Sequence, residues 1–187
     1  MTTPPDRTLA VASEVAALLA ARGAKSAVIG AVALAVRGYP RATEGLDLGT
    51  VTDVFTVLRD LAQELVRRGY EAELMLPDAE DALGGVLSVT APGADLVQVV
   101  NYLNPWRGWS PVGKEAIETA EANVLRDLAV VDLPHLVALK LYAGGRKSQL
   151  DVLELLDRNP DAIPSVGEVC RRLGLGAALS ALLASSP

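Results

Sequence analysis

The apolar positions along the chain follow two periods, one of about 3.6 residues and one of two. In the first part of the chain, short stretches of the two periods alternate. The helical period predicts helices over 8–22, 31–39 and 53–69, and apolar or alternating runs predict strands over 26–30, 44–51, 70–76, 85–91 and 95–103. Strands crowded among helices in this way indicate a mixed sheet.

The later part of the chain has a different pattern. The segment NPWRGWSP (104–111) predicts a loop. Helical spacing then returns and predicts helices over 113–121, 134–143, 148–157 and 165–184. We therefore predict an α+β fold, with a mixed sheet flanked by helices and a C-terminal helical extension. The expected division is an α/β core over 8–112 and a helical part over 113–187 that packs on it.

Composition narrows the class of protein. Half of the 187 residues are hydrophobic, and the formal net charge is -6, which argues against broad, nonspecific binding to nucleic acid. The start, MTTPPDRT, lacks the features of a signal peptide, and no apolar run reaches the ~20 residues of a membrane span. One cysteine rules out an internal disulfide. These features predict a cytoplasmic protein without a membrane anchor.

Two carboxylates stand out because each lies at or next to an apolar strand. Asp47 sits between leucines in GLDLG, and Asp95 opens ADLVQVV. If the two strands are neighbours, the carboxylates converge, and paired oxygen ligands suit Mg²⁺. Alternatively, Asp95 belongs to the turn after APGA and Asp47 is a solvated edge residue. The residue types alone leave both interpretations open.

Two longer stretches carry a resemblance to a known superfamily. They are IGAVALAVRGYPRATEGLDL (29–48) and LPHLVALKLYAGGRKSQLDVLELL (133–156). Together they resemble the nucleotidyltransferase superfamily, which has the polymerase-β-like fold. The pattern is most similar to small bacterial members found in toxin–antitoxin pairs, including the AbiEii-like toxins. The likeness spans about 26–158, with several motifs in the right order.

The resemblance implies a function and a set of site residues. It implies Mg²⁺-dependent transfer of a nucleoside monophosphate from a nucleoside triphosphate to RNA or protein, and an antitoxin as a protein partner. Asp47 and Asp95 would be catalytic and would hold the Mg²⁺. The residues implied to bind the nucleotide are Gly30, Ala31, Arg41, Thr43 and Lys140. Gly30 and Ala31 occupy the position of the family's Gly-Gly turn, where Ala31 departs from the second glycine. Arg41 and Thr43 match its Arg-x-Thr motif.

Gly45 departs from the family pattern, because the usual Asp-x-Asp has become Gly-Leu-Asp. A missing carboxylate predicts weakened Mg²⁺ binding and weakened catalysis. Alternation along the strand turns the neighbouring Glu44 to the opposite face, so it is not expected to substitute. Gly45→Asp is expected to restore a carboxylate on the face of Asp47. The alternative function is a catalytically inactive relative that binds a nucleotide, RNA or protein.

Overall fold

The fold is given by a computed structural model that describes residues 6–185. Residues 1–5, on which the expectation about a signal peptide partly rests, lie outside this range. Helices form where apolar residues recur at helical spacing: α1 (Asp6–Ala20), α2 (Gly30–Val36), α3 (Arg59–Arg67), α4 (Pro111–Glu118), α5 (Leu133–Ala143), α6 (Gly145–Arg158), α7 (Ile163–Arg172) and α8 (Gly176–Ala184). A π-helical turn, Val54–Leu58, leads into α3. None of the described helices is long and apolar enough to cross a membrane.

Most of the strands belong to one mixed sheet. The strands are β1 (Ser26–Ile29), β2 (Gly45–Thr50), β3 (Glu71–Met75), β4 (Val86–Thr90), β5 (Leu96–Asn101), β6 (Leu103–Asn104), β7 (Gly108–Trp109), β8 (Glu121–Leu125) and β9 (Leu128–Val130). Seven of them pair in the order β3-β4-β5-β2-β1-β9-β8, and β6 and β7 form a separate small hairpin. The β2–β5 and β1–β9 pairs are parallel, whereas the other pairs are antiparallel. The predicted α+β fold with a mixed sheet is confirmed.

One part of the predicted organisation is wrong. Helices alone were expected after residue 112, but β8 and β9 lie there and join the main sheet next to β1. These strands are five and three residues long. Runs this short do not distinguish a strand from a helix by periodicity. The sheet therefore extends beyond the expected boundary, and the continuous helical extension begins with α5.

The two faces of the sheet differ in polarity. Leu46 and Leu48 of β2 and Val97 and Val99 of β5 have no exposed surface and belong to the hydrophobic core. The core lies between this face and helices such as α1, which contacts β1, β2 and β5. Because side chains alternate along a strand, the intervening residues point to the other face.

Polar side chains cross that second face in one row. Asp47 of β2 is in register with Gln98 of β5, which is in register with Ser88 of β4, which in turn faces Glu73 of β3. The Gln98 amide nitrogen lies 3.3 Å from the Ser88 hydroxyl, to which it donates a hydrogen bond. We call this side of the sheet the open face. It carries the candidate functional site at the Asp47 end.

Candidate functional site

Asp47 lies near the middle of the sheet. Its neighbours Leu46 and Leu48 point into the core, and by alternation the Asp47 side chain points to the open face, which is why a carboxylate can lie between leucines. Its neighbours in register are Ile29 of β1 and Gln98 of β5. Burial raises the pKa of the Asp47 carboxyl, and the positive charges of Lys140 and Arg41 partly oppose this rise. The site therefore begins with a partly buried carboxylate whose charged form burial disfavours and the nearby cations favour.

Gly30 begins α2 directly after β1 and lies against Asp47. Its φ of +64° is in the left-handed region, which glycine adopts without strain. A Cβ at this position would also lie 2.1 Å from the Asp47 Oδ2 atom. Two independent constraints thus require glycine here. The structure thus places Gly30 at the start of a helix beside Asp47, and the buried Ala31 follows it.

A second carboxylate, Asp151 of α6, joins the two cations of the site. The Asp151 Oδ1 atom is 3.2 Å from Arg41 Nε, and its Oδ2 atom is 2.8 Å from Lys140 Nζ. The Asp151 side chain is only 3% exposed. Arg41 Nε and Asp151 Oδ2 lack a partner with hydrogen-bond geometry, so these contacts are ion pairs rather than well-directed hydrogen bonds. Asp151 therefore holds both cations that were predicted to face phosphates.

Arg146 and Lys147 lie close to Asp151 in the sequence, but among the described residues neither forms an ion pair with it. A signal for its burial is present in the sequence. Asp151 occurs at helical spacing with Leu155 on the buried face of α6. A carboxylate on such a face needs a cationic partner from another element, although the sequence does not say which one.

A polar cavity of about 470 Å³ opens beside this cluster. Its lining side chains are mostly charged or polar: Arg41, Thr43, Glu44, Asp47, Lys140 and Lys147. Gly30, Ala31 and Ala42 complete the wall, so every residue predicted to bind nucleotide lines this cavity. The Thr43 hydroxyl also donates a hydrogen bond to the Gly45 carbonyl, at 2.9 Å, which fixes the chain where β2 begins.

A larger and mainly apolar cavity, of about 670 Å³, lies on the other side of Asp47. Leu83, Val100 and Tyr102 line it from the sheet side, and Leu136 and Leu139 line it from α5. Burial raises the pKa of the Tyr102 hydroxyl, so this hydroxyl stays protonated at neutral pH. The two cavities share Gly30, Asp47 and Lys140, so the Asp47 carboxylate stands where a polar and an apolar compartment meet.

Comparisons with known proteins identify the fold. No protein-family model and no curated protein sequence matches the chain. Among solved structures, the antibiotic-resistance factor ANT(2'')-Ia in solution matches with a TM-score of 0.55 and 14% identity, over 94% of this chain and 92% of that one. A crystal structure of ANT(2'')-Ia with adenylyl-2''-tobramycin matches with a TM-score of 0.52 and 13% identity, over 88% of this chain and 95% of that one. An antigenic nucleotidyltransferase-like protein from Paracoccidioides brasiliensis matches with a TM-score of 0.51 and 17% identity, over 98% of this chain and 94% of that one.

The chain has the nucleotidyltransferase fold. The resemblance first seen in two stretches of sequence thus extends to the architecture of nearly the whole chain. Identities of this size establish the fold and leave the activity to be argued from the site itself.

Asp95 does not join the site in this nucleotidyltransferase fold. It precedes β5, and its backbone N–H donates a 2.8 Å hydrogen bond to the Thr8 hydroxyl of α1. By alternation along β5, Asp95 belongs with Val97 and Val99, on the face opposite Asp47. The prediction that Asp47 and Asp95 lie close enough to share a cation is wrong, because the residue in register with Asp47 is Gln98.

The residues present do not fit the two-metal centre that the resemblance implies. Gly45 supplies no ligand, and Gln98 is a neutral amide opposite Asp47. Glu44 does line the polar cavity, contrary to the prediction from alternation, because β2 begins only at Gly45. Over residues 6–185, no group of three or more acidic, histidine or cysteine side chains is placed to hold a metal ion. Two cations that share carboxylate ligands need more anionic groups than this site provides.

Gly45 itself has a structural reason to be glycine. A Cβ at this position would lie 2.3 Å from the carbonyl oxygen of Leu96, which is the residue in register with it on β5. We therefore expect both Gly45→Ala and Gly45→Asp to lower the free energy of unfolding by about 1–3 kcal/mol, the usual cost of overpacking. Denaturant unfolding of both variants, with EDTA and with Mn²⁺, measures this effect.

The alanine variant serves as the matched control, since it adds the same Cβ without a carboxylate. We expect Mn²⁺ to stabilise the two variants equally little, because the donor set does not fit a metal pair. A gain from Mn²⁺ seen in Gly45→Asp and absent from Gly45→Ala would contradict this expectation and restore the metal site first predicted from the sequence.

Proposed function

We propose that this protein binds a nucleoside triphosphate where the two cavities meet, and that it transfers the nucleoside monophosphate slowly or not at all. The triphosphate lies in the polar cavity, against Arg41, Lys140 and Lys147. The base lies in the apolar cavity, whose walls of leucine, valine and tyrosine suit a flat heterocycle. The proposal combines the fold with the charges of the site.

One observation supports the binding site above the others. Three basic residues and an apolar compartment flank the same residue, Gly30, which lines both cavities. Charged donors on one side and apolar walls on the other match the two halves of a nucleotide. The arrangement requires no metal ion for the protein to contact phosphate.

The proposal that catalysis is slow or absent rests on the small number of carboxylates at the site. Among the described residues, Asp47 is the one carboxylate that the sheet places beside Gly30. The residue in register with it on β5 is the neutral Gln98. Activation of a hydroxyl on RNA or protein, the acceptors that the resemblance implies, would depend on Asp47 alone. Its pKa, raised by burial, makes it a better base than an exposed aspartate, but it cannot also gather two cations.

Calorimetric titration with ATP and GTP, each with Mg²⁺ and with EDTA, tests the binding. We expect binding in both conditions, and a loss of about tenfold or more in affinity for an Arg41→Gln, Lys140→Gln double variant, because charge-assisted bonds to phosphate are removed. Glutamine keeps a hydrogen-bond donor beside Asp151, but this buried carboxylate loses both cations, so the double variant is expected to be less stable than the wild type. Lys147→Ala is a milder variant, since Lys147 forms no ion pair with any residue over 6–185.

A Lys114→Ala, Arg126→Ala double variant is the control, because it removes the same two residue types from surface ion pairs away from both cavities. Equal affinities for the control and the Arg41→Gln, Lys140→Gln variant would overturn the binding site. Transfer of label from α-³²P nucleotides to bulk RNA or protein is measured separately. Rapid transfer by the wild type, with many turnovers per protein molecule and abolished by Asp47→Asn, would overturn the proposed weakness in catalysis and leave the binding site intact.

A further inference from the structure

The strand β3 forms one end of the sheet. Among the residues that the structure covers, it pairs with β4 alone, through five consecutive residue pairs in regular antiparallel register. Its other side therefore offers backbone N–H and C=O groups without strand partners. A regular edge of this kind is a template for another extended chain.

The opposite end of the sheet is built differently. There β8 pairs with β9 through a register shift between Glu121 and Leu125, and Asn123 has a φ of 55°. Irregular edges with bulges resist pairing with other strands. Of the two ends of this sheet, only the β3 end keeps the geometry that accepts an added strand.

The β3 edge also carries exposed apolar surface. Met75 is 69% exposed, Val66 of α3 is 55% exposed and Leu76 is 44% exposed. A groove of about 540 Å³ runs between α3 and β3. Its walls carry both apolar and polar side chains: Ala62, Val66, Ala72, Leu74, Leu76, Arg59, Gln63 and Arg67. Val66, Leu74 and Leu76 share this groove, whereas Met75 lies by alternation on the face of Glu71 and Glu73.

The apolar surface continues past Arg59, which also lines the groove. The Arg59 guanidinium carbon lies 5.5 Å from the centroid of the Phe55 ring. Phe55 in turn makes an edge-to-face contact with Trp106, with ring centroids 5.8 Å apart, and Trp106 is 55% exposed. Exposed aromatic residues beside an arginine are typical of protein interfaces.

The charged side chains along β3 indicate which kind of segment would bind at this edge. Glu71 and Glu73 are exposed on the open face, and their partners on β4 are the uncharged Thr90 and Ser88. Within residues 6–185 neither glutamate forms an ion pair. Ala72 and Leu74 alternate with them and point to the groove side. A strand added here would meet two carboxylates on one face. On the other face it would meet the groove, whose apolar walls also carry Arg59 and Arg67.

We propose that the β3 edge binds an extended segment of a partner protein in which basic and apolar residues alternate. Its backbone would continue the sheet, its basic side chains would lie opposite Glu71 and Glu73, and its apolar side chains would enter the groove beside Val66. Cross-strand pairs of opposite charge stabilise such pairing. The site is independent of the nucleotide cavity.

Two other occupants fit the surface less well. RNA would be repelled by Glu71 and Glu73 and by the net charge of -6. A second copy of the chain that pairs symmetrically about Glu73 would place this carboxylate opposite itself. Charge complementarity therefore favours a basic, extended protein segment.

The test uses the whole chain and a short fluorescent peptide of alternating lysine and valine as the probe. We expect fluorescence anisotropy to detect binding of this peptide and no binding of the same peptide with alternate backbone amides N-methylated. Hydrogen exchange should slow at β3 amides on binding and stay unchanged at β8. A Glu71→Lys, Glu73→Lys variant should bind the lysine peptide about tenfold more weakly and bind a glutamate–valine peptide instead.

An Asp161→Lys, Glu168→Lys variant is the matched control, because it makes the same change in charge at two exposed positions in the C-terminal helices. Absence of binding by the lysine peptide, equal binding of the N-methylated peptide, or equal weakening in the control would each overturn the proposal. Sedimentation that shows a dimer which the peptide dissociates would also overturn it, since the occupant would then be a second copy.

Discussion

Gly30→Ala is expected to lower the free energy of unfolding by about 2–5 kcal/mol. A residue with a Cβ in the left-handed region costs about 1–2 kcal/mol, and overpacking adds about 1–3 kcal/mol. Both terms apply because Gly30 has a φ of +64° and its Cβ would lie 2.1 Å from Asp47 Oδ2. Denaturant unfolding, followed by circular dichroism, measures the change.

Gly23→Ala separates the two causes. Gly23 has a φ of +74°, yet a Cβ there would meet no atom within 4 Å, so only the conformational cost applies. Removing the Asp47 side chain in the Gly30→Ala background should recover part of the lost stability, and the full set of variants forms a double-mutant cycle. Equal losses for Gly23→Ala and Gly30→Ala, with no coupling to Asp47, would show that the contact is unimportant.

Asp151→Asn should destabilise the protein by about 3 kcal/mol, because it leaves two cations in a largely buried place without their carboxylate. Removing one partner of a buried ion pair typically costs about 3–5 kcal/mol, and we expect the lower end because Arg41 and Lys140 are 21% and 14% exposed. Under the proposed function, ATP should raise the melting temperature of this variant more than that of the wild type. A bound triphosphate would replace the missing negative charge.

Asp60→Asn is the control for this prediction, since Asp60 pairs with Arg22 at an exposed position and should contribute at most about 1 kcal/mol. An Asp151→Asn variant as stable as Asp60→Asn would contradict the role assigned to the buried carboxylate. A variant that is destabilised but gains no more from ATP than the wild type would keep that structural role and count against phosphate binding by Arg41 and Lys140.

Local patterns predicted most of the fold, because alternation and helical spacing report which side of an element is buried. The two strands at 121–130 were missed since they are too short for such a period to appear. For the candidate site, the spacing of motifs predicted some contacts and not others. Gly30 and Asp47 were identified together because β1 and β2 are consecutive strands that pair with each other, and only α2 and a short loop join them, so the motif spacing carries the geometry.

Asp95 and Asp151 show what spacing alone does not determine. The position of Asp95 relative to Asp47 depends on the register of β5 against β2, and one residue of slip changes the face on which a side chain lies. Asp151 meets Arg41 and Lys140 only after α6 packs against α5. Such contacts are set by tertiary packing, and no short stretch of sequence contains them.

The place of β9 in the sheet bears on how the protein folds during synthesis. β1 lies between β2 and β9, and more than half of the chain separates Val28 from its partner Val130. Closing so long a loop is slow, because the entropy is lost before the contact forms. While the ribosome makes the intervening residues, one side of β1 has no strand beside it. The nascent chain thus passes through a stage in which an apolar strand in the middle of the future sheet is an open edge, accessible to chaperones and to other unfinished chains.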